Sequence, residues 1–107
     1  MANDFKLTNQ LRNAARSVTA NIAEGFPCSH VEFARFLQIS YRSLEEIEDR
    51  LIEVVDDKLV TPAEATKAFN LKKRTSIAVS RLRAYLLSTA DPPNYKPAAK
   101  RSRRRRT

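Results

Sequence analysis

Two residues with reactive side chains sit close together in the chain, Cys28 and His30. A thiol two residues from an imidazole is the raw material of a nucleophile and its base. The stretch around them supplies no third group to orient the imidazole and no glycine-rich loop to stabilise an oxyanion. Asn21 and Glu24 form a second polar pair, at a corner of the chain, and are read first as architectural. Seven carboxylates crowd one segment, Glu45, Glu46, Glu48, Asp49, Glu53, Asp56 and Asp57. A helical di-metal centre would need Glu-x-x-His motifs on facing helices, and the single histidine lies outside any such motif. No metal, cofactor or catalytic residue is therefore expected, nor is there a phosphate-binding loop or dinucleotide fingerprint. The acidic segment is read as a solvated face, or as one that pairs with Arg12, Arg16, Lys72, Lys73 and Arg74.

The remaining chemistry is electrostatic. The net charge is +8 over 107 residues, but it is unevenly placed. Pro92–Thr107 holds seven cations and no acid: Lys96, Lys100, Arg101, Arg103, Arg104, Arg105 and Arg106. Residues 1–91 hold 13 basic and 12 acidic residues and are nearly neutral. A block of like positive charge is suited to sequence-independent phosphate binding, and these seven residues are the expected nucleic-acid contacts. The competing reading is a tail that only solubilises the chain. Its Pro, Ala, Ser and Arg composition cannot bury enough surface to order it. The expected organisation is a domain over 1–91 and a disordered basic tail over 92–107.

The elements that must position these residues are helical. One glycine and no tryptophan in 107 residues do not suit a β-rich fold. Apolar positions Leu7, Leu11, Ala14, Ala15, Val18 and Ile22 predict a helix from about Asp4 to Glu24. Gly25 follows the last periodic residue, a C-cap position that favours φ > 0. Ser29 and Glu32 read as a capping box for a second helix, from about His30 to Lys58. Its seam is Phe33, Leu37, Ser40, Leu44, Ile47, Leu51 and Val54. Thr61-Pro62-Ala63-Glu64 opens a third helix with a capping box and a proline at N1. Its expected seam is Ala68, Leu71, Thr75, Ala78, Leu82 and Tyr85, with Phe69, Val79 and Leu86 extending the stripe, and Asp91-Pro92-Pro93 ends the helix. The short connections make neighbours antiparallel. Phe36, Ile39, Phe69 and Leu86 beside the seams exceed what one hairpin covers, so self-association is expected. The fold class is all-α, an antiparallel bundle of three long helices. No apolar run is long enough to cross a bilayer, and a lone cysteine fits a reducing cytoplasm.

The run Asn21-Ile22-Ala23-Glu24-Gly25, with Arg12, Ala14, Ala15 and Ser17 before it, resembles the signature of a bacterial family. Phe33, Phe36, Leu37, Leu44 and Glu48 in the next helix keep the same pattern. The family is that of four-helix bundle proteins related to those encoded in intervening sequences of 23S rRNA genes. Its members usually carry a further helix before the first one read here. Thr19 stands where proline is common and Arg42 where glycine is common. The resemblance implies a ring-like homopentamer with no enzymatic activity, distantly similar to the basic accessory proteins of diversity-generating retroelements. It also implies a nucleic-acid partner, RNA in preference to DNA. The competing reading is an oligomeric protein–protein scaffold.

Overall fold

The computed structural model describes residues 2–93, 95 and 96, and the side chains from Phe5 onward. Three helices follow one another, α1 (Ala2–Gly25), α2 (His30–Asp56) and α3 (Pro62–Ser88), with no strand among the described residues. α1 and α3 each pack on α2, and among the described residues their backbones do not approach each other closely. The Cα trace is accordingly a layer one helix thick, 51 × 32 × 14 Å.

The sequence punctuates these helices in recognisable ways. At the start of α3, Thr61 Oγ1 accepts from Glu64 N at 3.2 Å and Glu64 Oε1 accepts from Thr61 N at 2.9 Å, so the capping box is complete. At the start of α2, Ser29 Oγ accepts from Glu32 N at 3.2 Å. The reciprocal half does not form, because the Glu32 carboxylate turns to Arg35 at 2.9 Å. The end of α2 closes with Lys58 N–H bonded to Val55 O at 2.9 Å and Leu59 N–H to Val54 O at 3.0 Å. That paired 5→2 and 6→1 closure is a Schellman motif. It places Lys58 at φ 59°, the one non-glycine residue with positive φ among those described.

Gly25 departs from its expected role. It does not take positive φ, and α1 runs through it. The reason for glycine is steric. A Cβ at this position would lie 2.8 Å from both Phe33 Cδ1 and Phe36 Cβ, closer than non-bonded carbons can approach. Glycine lets the end of α1 lie directly on the first two turns of α2.

The core is a continuous cluster of Val18, Phe33, Ala34, Leu37, Leu44, Val79 and Leu86, with Ile22, Tyr41 and Ile47 packed against it. A polar line accompanies the α1–α2 contact. Ser40, fully buried, donates to Val18 O at 2.9 Å, and Ser43 donates to Ser17 Oγ at 2.7 Å. Small hydroxyl residues here let the two backbones approach, and the hydroxyls of Ser40 and Ser43 each find an acceptor.

The seam expected of α2 is the one observed; of the stripe expected of α3, Val79 and Leu86 are buried and Ala68, Phe69 and Thr75 half-buried, while the rest is exposed. α3 faces α2 with Ala65, Ser76, Val79 and Leu86. Leu71 is 59% exposed, Tyr85 56% and Leu82 38%, and Ala78 is exposed too. Ala65, Ser76, Val79 and Leu86 stand 11, 3 and 7 residues apart, sums of the same three- and four-residue steps, so periodicity alone could not rank them above Leu71, Leu82 and Tyr85. The surplus apolar surface also lies elsewhere than expected. Leu86 is buried and Phe36 and Phe69 are half-buried, while Leu71, Leu82 and Tyr85 stand out with Ile39.

Candidate nucleic-acid interface

Charge is sorted by helix. α2 holds seven acids and three arginines, whereas α3 holds six cations and only Glu64 as an acid. The two helices meet at Lys72, whose Nζ lies 2.6 Å from Glu48 Oε1 and 3.1 Å from Glu45 Oε2. Burial pulls the Lys72 ammonium towards neutrality, but the hydrogen bonds and charges of Glu48 and Glu45 outweigh it and raise its pKa. Lys72 is therefore committed to the fold. Lys73, Arg74, Arg12 and Arg16 are exposed and form no ion pair among the described residues. Arg12 donates to Asn9 Oδ1 at 3.3 Å. Lys67, Arg74 and Arg81, seven residues apart, share one exposed side of α3.

Of the seven expected tail contacts, Lys96 is described and is exposed. Lys100, Arg101, Arg103, Arg104, Arg105 and Arg106 lie outside the described residues.

The corner residues hold the fold together. Asn21 donates its amide to Ser17 O at 2.8 Å and to Ser17 Oγ at 3.2 Å, which joins it to the polar line between α1 and α2. Glu24 is half-buried, and its carbonyl accepts from the Cys28 thiol at 3.5 Å. Phe33, Leu37 and Leu44 are buried in the core, Phe36 packs beside Gly25, and Glu48 pairs with Lys72.

Cys28 and His30 are each engaged with backbone carbonyls. His30 Nδ1 lies 2.8 Å from Thr89 O; a carbonyl only accepts, so Nδ1 carries the proton. His30 N–H also donates to Asp91 Oδ1 at 2.7 Å. Asp91 thus places a negative charge at the start of α2, where the helix dipole favours it. Tyr95 folds back over the same corner. Desolvation, with Cys28, Asp91 and Glu32 nearby, raises its phenol pKa, against a hydrogen bond from the Ser29 backbone. This clasp was not legible in the sequence: Asp91 reads there as a helix terminator, and its partner lies 61 residues away.

Three residues that carry no signal in the sequence line one hollow, Gln38 and Tyr41 from α2 and Arg83 from α3, with Ser80 and Val79 beside them. Arg83 Nε is buried without a hydrogen-bond partner. Elsewhere, α1 and α3 leave a groove of about 370 Å³ over α2, lined by Ala15, Val18, Leu44, Leu51 and Leu71 among others.

Among the described residues no group of three or more His, Cys, Asp or Glu is placed to hold a metal ion, and no helix is long and apolar enough to cross a membrane. Residues 1–80 match the model of the family described as 23S rRNA-intervening sequence protein. The match takes in α1, α2 and most of α3 and stops before the basic segment. No curated protein and no solved structure matches the chain.

Proposed function

Since this chain belongs to the family of 23S rRNA-intervening sequence proteins, we propose that it is a non-enzymatic, cytoplasmic, homo-oligomeric bundle that binds nucleic acid, RNA in preference to DNA. The observation that carries the reading is the charge distribution. Seven cations without an acid follow a nearly neutral helical body. Lys96, Lys100, Arg101, Arg103, Arg104, Arg105 and Arg106 make the phosphate contacts, and arginine suits them by forking onto phosphate oxygens and stacking on bases. Self-association multiplies weak tails through effective concentration. The exposed Leu71, Leu82 and Tyr85 and the groove beside them support an interface between copies. A pentamer is what the family resemblance implies.

The test is to delete residues 97–107, which removes six of the seven cations and leaves Tyr95 on its corner. If those six charges neutralise phosphates, the log–log salt slope for a single-stranded RNA approaches about −4, and a fourfold rise in salt weakens binding a few hundredfold. The truncated chain should keep its helicity and assembly state and lose most RNA affinity at moderate salt. Equal binding by both chains would move the site onto the helices. No binding by either would favour the second reading, an oligomeric protein–protein scaffold, for which the exposed apolar side of α3 is the supporting observation.

A further inference from the structure

The outer surfaces of α2 and α3 carry one spacing with opposite signs. On α2, Ile52 is 45% exposed. It stands three residues after Asp49 and four before Asp56, so the three share one side of the helix. On α3, Leu71 is 59% exposed. It stands four residues after Lys67 and three before Arg74, again on one side. All four charged residues are exposed, and none forms an ion pair among the described residues. Read from Asp49 to Asp56, the steps are three and four; read from Arg74 back to Lys67, they are the same. Two such helices laid antiparallel bring Ile52 against Leu71, with Asp49 opposite Arg74 and Asp56 opposite Lys67. Laid parallel, they leave the two apolar residues one step, about 1.5 Å, out of register.

The two rows cannot meet within one chain. Leu71 lines the groove whose floor is Leu44, Ile47 and Leu51. Asp49, Ile52 and Asp56 lie roughly 140° round α2 from that floor. Each copy therefore presents one row of each sign in different directions, which is the requirement for a head-to-tail contact. A two-fold pair made groove to groove fits worse. It would gather Lys67 and Arg74 of both copies around one groove, with Arg12 beside the groove-lining Ala15, and like charges in an interface repel. RNA also fits worse at this edge, because no aromatic side chain lines the groove for a base to stack on. The match covers two turns. One heptad further, Arg81 would stand opposite Arg42, so the two helices must cross and part there.

We propose that copies of this chain meet through these two rows, with Ile52 of one copy on Leu71 of the next and the ion pairs Asp49–Arg74 and Asp56–Lys67 on either side. The contact rests on the self-association reading above and gives it two defined surfaces. The apolar pair supplies the attraction. The ion pairs, exposed at the edge, add little affinity but fix register and direction, since any other pairing sets like charges together. Repeated from copy to copy, the contact builds a ring where the rotation closes.

The experiment is a charge swap in the full chain. One variant carries Lys67→Glu and Arg74→Glu, a second carries Asp49→Lys and Asp56→Lys, and a third carries all four. Sedimentation at micromolar concentration gives the assembly state, and circular dichroism checks that each variant is helical. The four positions are exposed and unpaired within the chain, so all three variants should fold. Each two-residue reversal should weaken self-association about tenfold or more. The fourfold swap should restore it to within a few-fold of the parent, a rescue that damage to the fold could not give. Leu71→Ser should weaken it as well, with no change of charge. A parent that is monomeric overturns self-association and this contact with it. A parent that associates while both reversals associate equally well overturns the contact and leaves self-association standing. Reversals that weaken assembly without rescue in the fourfold swap show that the two rows do not meet, which also overturns the contact. Unchanged assembly with lost oligouridylate binding in Lys67→Glu/Arg74→Glu overturns it in favour of RNA at this edge.

Discussion

Gly25 and Lys58 show how a single position can be right or wrong for its backbone. At Gly25 the conformation is ordinary and the space is not. Gly25→Ala must push Phe33 and Phe36 away from the corner, with their nearest atoms at 2.8 Å. Overpacking of this kind costs about 1–3 kcal/mol, to be read from the denaturant midpoint. Lys58 is the reverse case. It holds the left-handed position of the Schellman turn, where a side chain costs roughly 1 kcal/mol relative to glycine. Lys58→Gly should therefore raise stability by something under about 1 kcal/mol, since glycine also widens the unfolded ensemble. Lys72 belongs to this scale too. Its side chain is only 12% exposed while Glu45 and Glu48 are half-open to solvent, so Lys72→Met should cost about 1–2 kcal/mol. The sign of its pH dependence follows from the raised pKa. The folded state holds this proton more tightly than the unfolded state does. The contribution is full below the unfolded value near 10.5 and fades as pH rises through the higher folded value. Parallel urea titrations at pH 8 and pH 11 should show the gap between Lys72→Met and the parent closing at the higher pH.

At the scale of the helix, most of the order was written in the sequence. The Thr61–Glu64 box, the proline behind it and the α2 seam are local signals, fixed by residues within one or two turns. Thr61→Ala should cost about 0.5–2 kcal/mol, measured in the same denaturant series. What was not legible depends on which neighbour a helix meets. α3 carries two candidate stripes, and only the packing reveals that Ala65, Ser76, Val79 and Leu86 face α2 while Leu71, Leu82 and Tyr85 do not. The glycine of the corner reads in the sequence as a left-handed cap, because an ordinary helical φ next to two phenylalanines calls for the same residue. The tail contacts were read from charge alone. The Arg83 hollow could not be, since Gln38 and Arg83 line it only when α2 and α3 are laid side by side.

At the scale of the molecule, the sorting of charge is the dominant feature. An acid-rich α2 lies between a mildly basic α1 and a strongly basic α3. Only Lys72 bridges α2 and α3 through ion pairs among the described residues. Lys73 and Arg81 of α3 are exposed and free to meet an external polyanion, and the field they create should hasten its arrival. Replacing Lys73 and Arg81 together by glutamine should leave the melting temperature nearly unchanged, because neither is buried or paired. It should lower the association rate with RNA at low salt more than it raises the dissociation rate, as stopped-flow mixing would record. An equal effect on both rates would make these residues direct contacts.

The absence of close backbone approach between α1 and α3 among the described residues makes the protein close to a chain of nearest-neighbour couplings. Each outer helix is stabilised by one interface, and both interfaces are on the same central rod. Such a system behaves like a short one-dimensional array, in which the ends can open without consulting each other. Amide exchange would then fall into two tiers. α1 and α3 can each open as a separate unit, and a weakening substitution in one leaves protection in the other unchanged. α2 loses protection fully only when both neighbours have left. A partner that settles on the layer and touches α1 and α3 at once would supply the coupling that the isolated chain lacks.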